Sequence, residues 1–154
     1  MLALILALAT AFPSASKTAW MRPESFHLVI NMPRDDAEKA LRDGGWKTKK
    51  GADRDHLIVD YDTTRSLLLE FKEDRLKSVR FDLFDFIPDA RKAFEEEQTY
   101  LRHSFGEPRK VLAKTVVIYD DRLPNVMVVL SDKPTTENGK SGLGFVTVRY
   151  YDPR

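Results

Sequence analysis

The run Phe81-Asp82-Leu83-Phe84-Asp85-Phe86, with Asp89 close behind, has the most unusual local composition in the chain. A hard cation is held by several converging carboxylate oxygens, and Asp82, Asp85 and Asp89 could supply such oxygens. Their spacing differs from a calcium loop, which has a glycine-centred turn and a distal glutamate. The same residues also have a purely structural reading. Phe81 and Leu83 then enter the core, Asp82 faces solvent, and Asp85 and Asp89 stand near the next helix start, where the dipole favours negative charge.

Three histidines are present, His27, His56 and His103, and no two of them have helical i, i+4 spacing. A zinc site needs three or four converging ligands. His56 could work as an acid or base with Asp60 or Asp62, because imidazole titrates near neutrality. The commoner role for such a pair is a solvated strand face. Ser66, Ser78 and Ser104 have no adjacent base, and neither a nucleophile elbow nor a phosphate or dinucleotide loop occurs. The expectation is therefore a protein that is not an enzyme and uses no cofactor. Aromatic residues point to binding instead, since Trp and Tyr bury much area at low entropic cost. Trp46 and Tyr151 are the candidates. Trp20 is expected to precede the folded region, and Tyr150 to lie in the core.

These residues need elements to position them. Phe26 to Ile30 reads as a short strand after a polar stretch from Lys17 to Ser25. Pro33 and Asp35-Asp36 open a helix with Ala37, Ala40 and Leu41 inward, and Gly44-Gly45 close it. Strands are expected at Trp46 to Lys50, His56 to Asp62, Ser66 to Phe71 and Leu76 to Phe84. The last two are joined by the polar turn Lys72 to Arg75. A second helix opens near Pro88-Asp89 on the stripe Ala90, Phe94, Leu101 and Phe105, and ends at Gly106. Strands at Val111 to Tyr119, Val126 to Ser131 and Phe145 to Tyr151 follow, with a polar loop from Lys133 to Gly142. The fold class is α+β, two helices packed on antiparallel sheet. The element order suggests a tandem repeat of helix plus three strands, with halves 26–86 and 87–154.

Twenty-five basic and twenty-four acidic residues leave a net charge of +1, so no electrostatic footprint for nucleic acid exists. The short charge runs, Lys47 to Lys50 and Glu95 to Glu97, read as solvated faces. Met1 to Phe12 is uncharged and nearly all apolar, and small residues follow at Ser14, Ala15 and Ser16. That run is too short to span a bilayer and has the length of a secretory signal core. It carries no basic residue before Lys17. The expected organisation is a signal peptide at 1–16 and a single domain at 17–154. The expected site is periplasmic or extracellular, with no stable membrane insertion once the signal is removed. The sequence has no cysteine, so no disulfide, thiolate metal site or lipid-bearing cysteine after the signal is expected.

The junction Ala40-Leu41 to Gly45-Trp46, the segment Leu69-Glu70-Phe71 to Leu76-Lys77-Ser78-Val79, and Phe105-Gly106-Glu107-Pro108 resemble small exported bacterial proteins with tandem helix-plus-sheet units. The SmpA/OmlA-like assembly lipoproteins and the β-lactamase-inhibitor-like fold are the families in question. The chain departs from both in having no cysteine, since the lipoproteins carry a lipidated one and the inhibitors use disulfides. The resemblance implies a helical unit packed on antiparallel sheet whose face or loops bind another protein. Another envelope or secreted protein is thus the expected partner.

Overall fold

The computed structural model describes residues 16–120, 122–132 and 142–154. The expected signal segment lies outside the described residues except for Ser16, as does the expected polar loop from Lys133 except for its last residue, Gly142.

Two helices form, α1 (Arg34–Asp43) and α2 (Ile87–Phe105). Eight strands follow the alternation of the sequence: β1 (Thr48–Lys50), β2 (His56–Asp60), β3 (Arg65–Lys72), β4 (Arg75–Phe86), β5 (Lys110–Leu112), β6 (Val116–Tyr119), β7 (Asn125–Asp132) and β8 (Leu143–Tyr151). All pair antiparallel in one sheet of order β1-β2-β3-β4-β8-β7-β6-β5. The fold is α+β, as the sequence predicts. Each half is one helix and a four-stranded meander, and the meanders join at β4 and β8. Each half thus has four strands rather than three: the first half has the four expected between Trp46 and Phe84, and the second gains its fourth from a turn inside the predicted Val111 to Tyr119 strand. Ala113 and Lys114 take positive φ (49° and 59°), and the chain folds back on itself there. The β3–β4 hairpin turns in the same way at Glu73-Asp74, with φ of 53° and 55°, a twist that matches the strands.

Both helices end where glycine reverses the chain. Gly45 (φ 79°) follows α1 and Gly106 (φ 84°) follows α2, each in a conformation that costs other residues strain. Past Gly45, the Trp46 amide donates to the Leu41 carbonyl at 2.9 Å. On β8, Gly144 allows close approach of α2, because a Cβ there would come within 2.9 Å of the Ala90 Cβ.

The predicted strand at Phe26 to Ile30 is instead a turn. Pro23 starts a short 3-10 helix (Pro23–Phe26), and left-handed backbone at His27 and Asn31 prevents an extended path. The segment is tied to β4 by the Asn31 amide donating to the Leu76 carbonyl and the Leu76 amide to Met32. The stretch before it is also part of the fold. Thr18, Trp20 and Met21 are buried, and the Trp20 indole donates to the Lys17 carbonyl at 3.1 Å. Trp20 therefore belongs to the core instead of preceding it, because its ring lies 5.8 Å from Phe81 and 5.3 Å from Tyr61.

Inward residues of every long strand form one continuous core. Leu67, Leu69, Val79 and Phe81 in the first half meet Val126, Val128, Val146 and Val148 in the second. Each such side chain contributes roughly 1.5–3 kcal/mol through burial. Helix α2 lies across β4, β7 and β8, while α1 and the N-terminal segment cover the first meander. Among the described residues no helix is long and apolar enough to cross a membrane.

Candidate functional site: the open face of the sheet

Strand alternation sends one set of side chains under the helices and the other onto a face that no described element covers. Across the middle of that face, paired register aligns Lys49, Ile58, Leu68 and Arg80 with Arg149, Met127, Ile118 and Lys110. Read outward from the β4–β8 seam, both halves give arginine, an unbranched-tip or γ-branched apolar residue, isoleucine and lysine. The central face is thus two apolar flanks around a pair of arginines.

Like charges opposite each other repel, so the arginines need counter-charges. The Arg80 guanidinium donates to Asp82 at 3.0 Å. Arg149 donates to Glu70 at 2.7 Å and to the Ser78 hydroxyl at 2.8 Å. Glu70 also lies 3.5 Å from His56, whose other nitrogen bonds Asp53 at 2.6 Å. The Asp53 hydrogen bond, helped by Glu70, raises the His56 pKa, with burial acting against it. Burial pushes Glu70 up, but Ser78, Arg149 and His56 together hold its carboxyl below the usual range. His56, Glu70, Arg80 and Asp82 border a hollow of about 440 Å³ lined also by Ile58, Leu68 and Ala52. His56 is thereby joined to Asp53 and Glu70, not to the Asp60 or Asp62 expected from the sequence. Asp60 bonds Lys49 and Asp62 bonds Arg65. The hollow opens on the sheet surface, and each ionised group in it is already matched. It has the chemistry of an ion-paired surface.

At one end the face turns apolar. Phe84 pairs with Phe145 and Phe86 with Leu143. The first two rings lie 4.8 Å apart between centroids. Phe86 is 57% exposed, Phe145 48% and Leu143 42%. Contiguous exposed apolar surface of this kind, beside charged groups, marks sites of interaction.

The remaining candidates separate. Asp82 lies on the open face, where it also accepts from Thr147 at 2.8 Å. Asp85 accepts from the Phe86 amide at 2.8 Å, and Asp89, in the first turn of α2, pairs with Lys17 at 3.2 Å. The three do not converge, and among the described residues no group of three or more His, Cys, Asp or Glu is placed to hold a metal. Trp46 stacks on Tyr61 at 4.9 Å and contacts Phe26 at 5.0 Å, partly buried against the core. Tyr151 is half-buried on the open face, with the Arg149 guanidinium 5.2 Å from its ring.

Sequence reasoning missed Phe145, Leu143, Arg80 and Arg149 as surface groups. The available signal was parity: Phe145 and Tyr151 alternate with the inward Val146, Val148 and Tyr150 along one strand. Comparison with protein-family models, curated proteins and solved structures finds no match for this chain.

Proposed function

We propose that this chain is an exported, non-enzymatic binding protein that takes another envelope or secreted protein on the open face of its sheet. The observation that carries the reading is the cluster of exposed Phe86, Leu143 and Phe145 with half-buried Phe84, beside a row of paired charges. A protein partner would bury the aromatic cluster as its apolar centre and meet Arg80, Arg149 and their carboxylates along the polar margin. The resemblance to exported tandem helix-plus-sheet proteins supports the same use of the face. Export is supported by the uncharged run from Met1 to Phe12 and the small residues at Ser14 to Ser16.

Site-specific photo-crosslinking in the native envelope tests it. A crosslinker at Phe145 or Met127 should capture one and the same protein, which a crosslinker at exposed Glu95 on α2 does not capture. Phe84→Ser should reduce that capture at least about tenfold, the scale of a central interface residue. Equal capture from Glu95, or capture indifferent to Phe84→Ser in a folded variant, would refute the open-face reading.

A further inference from the structure

A basic hollow lies at the opposite end of β4 from the aromatic cluster. It measures about 500 Å³ and is bordered by the β3–β4 hairpin, Asn31 and the chain that follows β8. Lys72 and Arg75 are register partners at the end of that hairpin, and both are exposed. Like charges set opposite each other on two strands repel. Lys77 brings a third cation through a β-bulge. Glu70 partners Ser78 while Phe71 partners Leu76, so Lys77 is the extra residue, and a bulge re-aims such a side chain.

The acids nearby leave this charge uncancelled. The buried Asp152 carboxylate accepts from the Arg154 guanidinium at 3.0 Å and from the Asn31 side-chain amide at 2.7 Å. Asn31, anchored in this way, holds two of the cations in place. Its side-chain oxygen accepts from the Lys77 ammonium at 2.7 Å, and its backbone carbonyl accepts from the Arg75 guanidinium at 2.8 Å. Lys77 stays 3.7 Å from Asp152, beyond hydrogen-bond length. Glu73 is the other acid at the hollow. Among the described residues it pairs with no cation, and neither Lys72 nor Arg75 pairs with a carboxylate. Lys72, Arg75, Lys77 and Arg154 thus stand against two carboxylates, a surplus of two positive side chains in a chain whose net charge is +1. Ammonium and guanidinium groups carry more donors than these bonds use, so donors remain for a ligand.

We propose that this hollow binds a phosphate group in its doubly charged form, as free phosphate or as the head of a phosphate monoester. An anion set between Lys72 and Arg75 relieves their mutual repulsion, and Lys77 donates to it from the bulge. Charge-assisted bonds to phosphate oxygens are stronger than neutral ones, and the arginine fork can span two oxygens. A hollow with surplus charge of one sign also concentrates counter-ions of the other. The site is remote from the aromatic cluster, so either assignment can fail without the other.

NMR titration of the isotopically labelled full chain with inorganic phosphate, at constant pH and with ionic strength held by sodium chloride, tests the assignment. Amide shifts at Asn31, Lys72, Glu73 and Arg75 should saturate, and chloride alone should not produce them. Lys72→Gln and Arg75→Gln should each weaken phosphate at least about fivefold, the effect of one lost charge-assisted contact. Lys47→Gln removes an exposed cation elsewhere and should leave the affinity within about twofold, because distant surface charge is screened. Lys72 makes no side-chain bond among the described residues, so its variant keeps the test decisive even if Arg75→Gln loosens the tie to Asn31. Vesicle sedimentation separates the two sources of phosphate. Sedimentation with phosphatidic acid but not phosphatidylcholine, diminished in Lys72→Gln, assigns a lipid head, and saturable phosphate shifts without it assign a soluble phosphate. Shifts that do not saturate, equal shifts with chloride, or an unchanged phosphate affinity in Lys72→Gln would overturn the proposal and leave the hairpin's cations as a solvated surface.

Discussion

Glu97 shows how one side chain sets the pH response of the whole chain. It occupies the same stripe of α2 as Ala90, Phe94 and Leu101, and it is wholly buried. Burial raises its carboxyl to about 7, with the nearby Thr18 hydroxyl and Arg22 guanidinium acting the other way. The folded state therefore holds this proton more tightly than the unfolded state does. Its stabilising contribution is complete below the ordinary value of 4.5 and is lost as pH rises through 7. The swing is on the order of 3 kcal/mol. His56, raised by Asp53, acts in the same direction, with its share present below 6.5 and lost above its folded value. Carboxylates held low, such as Asp62 beside Arg65 and Asp152 beside Arg154, act oppositely and lose their contribution as pH falls. Thermal unfolding measured from pH 4 to 9 should show highest stability on the mildly acidic side and a decline through neutrality. Glu97→Gln should flatten most of that decline, and His56→Gln a smaller part. The sequence contained the clue, since 90, 94, 97 and 101 share one helical face. The acidic run around Glu97 concealed it, because three neighbouring glutamates read as a solvated surface.

At the scale of elements, α2 and β8 meet with no space to spare. Gly144→Ala would drive a methyl against the Ala90 Cβ at 2.9 Å, a contact between two short groups that cannot swing aside. Chemical denaturation should show a loss of about 1–3 kcal/mol. Ala90→Gly in the same chain should recover part of it, giving a measurable coupling between the two positions. Helices and long strands were legible in the sequence because their signals are local. Pro33, Gly45 and Gly106 punctuate the helices, and alternation marks β2, β3, β4, β7 and β8. Two features were not legible for definite physical reasons. The turn at Ala113-Lys114 puts two ordinary residues in left-handed backbone, where glycine or asparagine is the usual signal. The segment from Thr18 to Leu28 has no regular period, and only its tertiary contacts with Tyr61, Phe81 and Trp46 bury it. The candidate face was hidden in a similar way. Alternation separates its residues from the core, but only the register of β4 against β8 puts Phe84 beside Phe145 and Arg80 beside Arg149.

The whole molecule is two meanders sharing one core across the β4–β8 seam. Neither half keeps its inward valines dry without the other. Unfolding in urea should therefore be a single transition, with far-ultraviolet circular dichroism and tryptophan fluorescence coincident. Since Trp46 lies in the first half and Trp20 packs on its Tyr61 and Phe81, a fluorescence change preceding the loss of sheet signal would mean that the halves unfold separately. The sheet also ends in a telling way. Its outermost strands, β1 and β5, have only three residues each, and they carry Lys49, Lys50 and Lys110. Short, lysine-bearing margins are poor templates for an incoming strand. The molecule is thereby guarded against growing sideways into fibres, and a partner that extends the sheet by strand addition finds little to pair with. Under the proposed function, recognition is left to side chains projecting from the broad surface, whose identities can change without disturbing the backbone ladder beneath them.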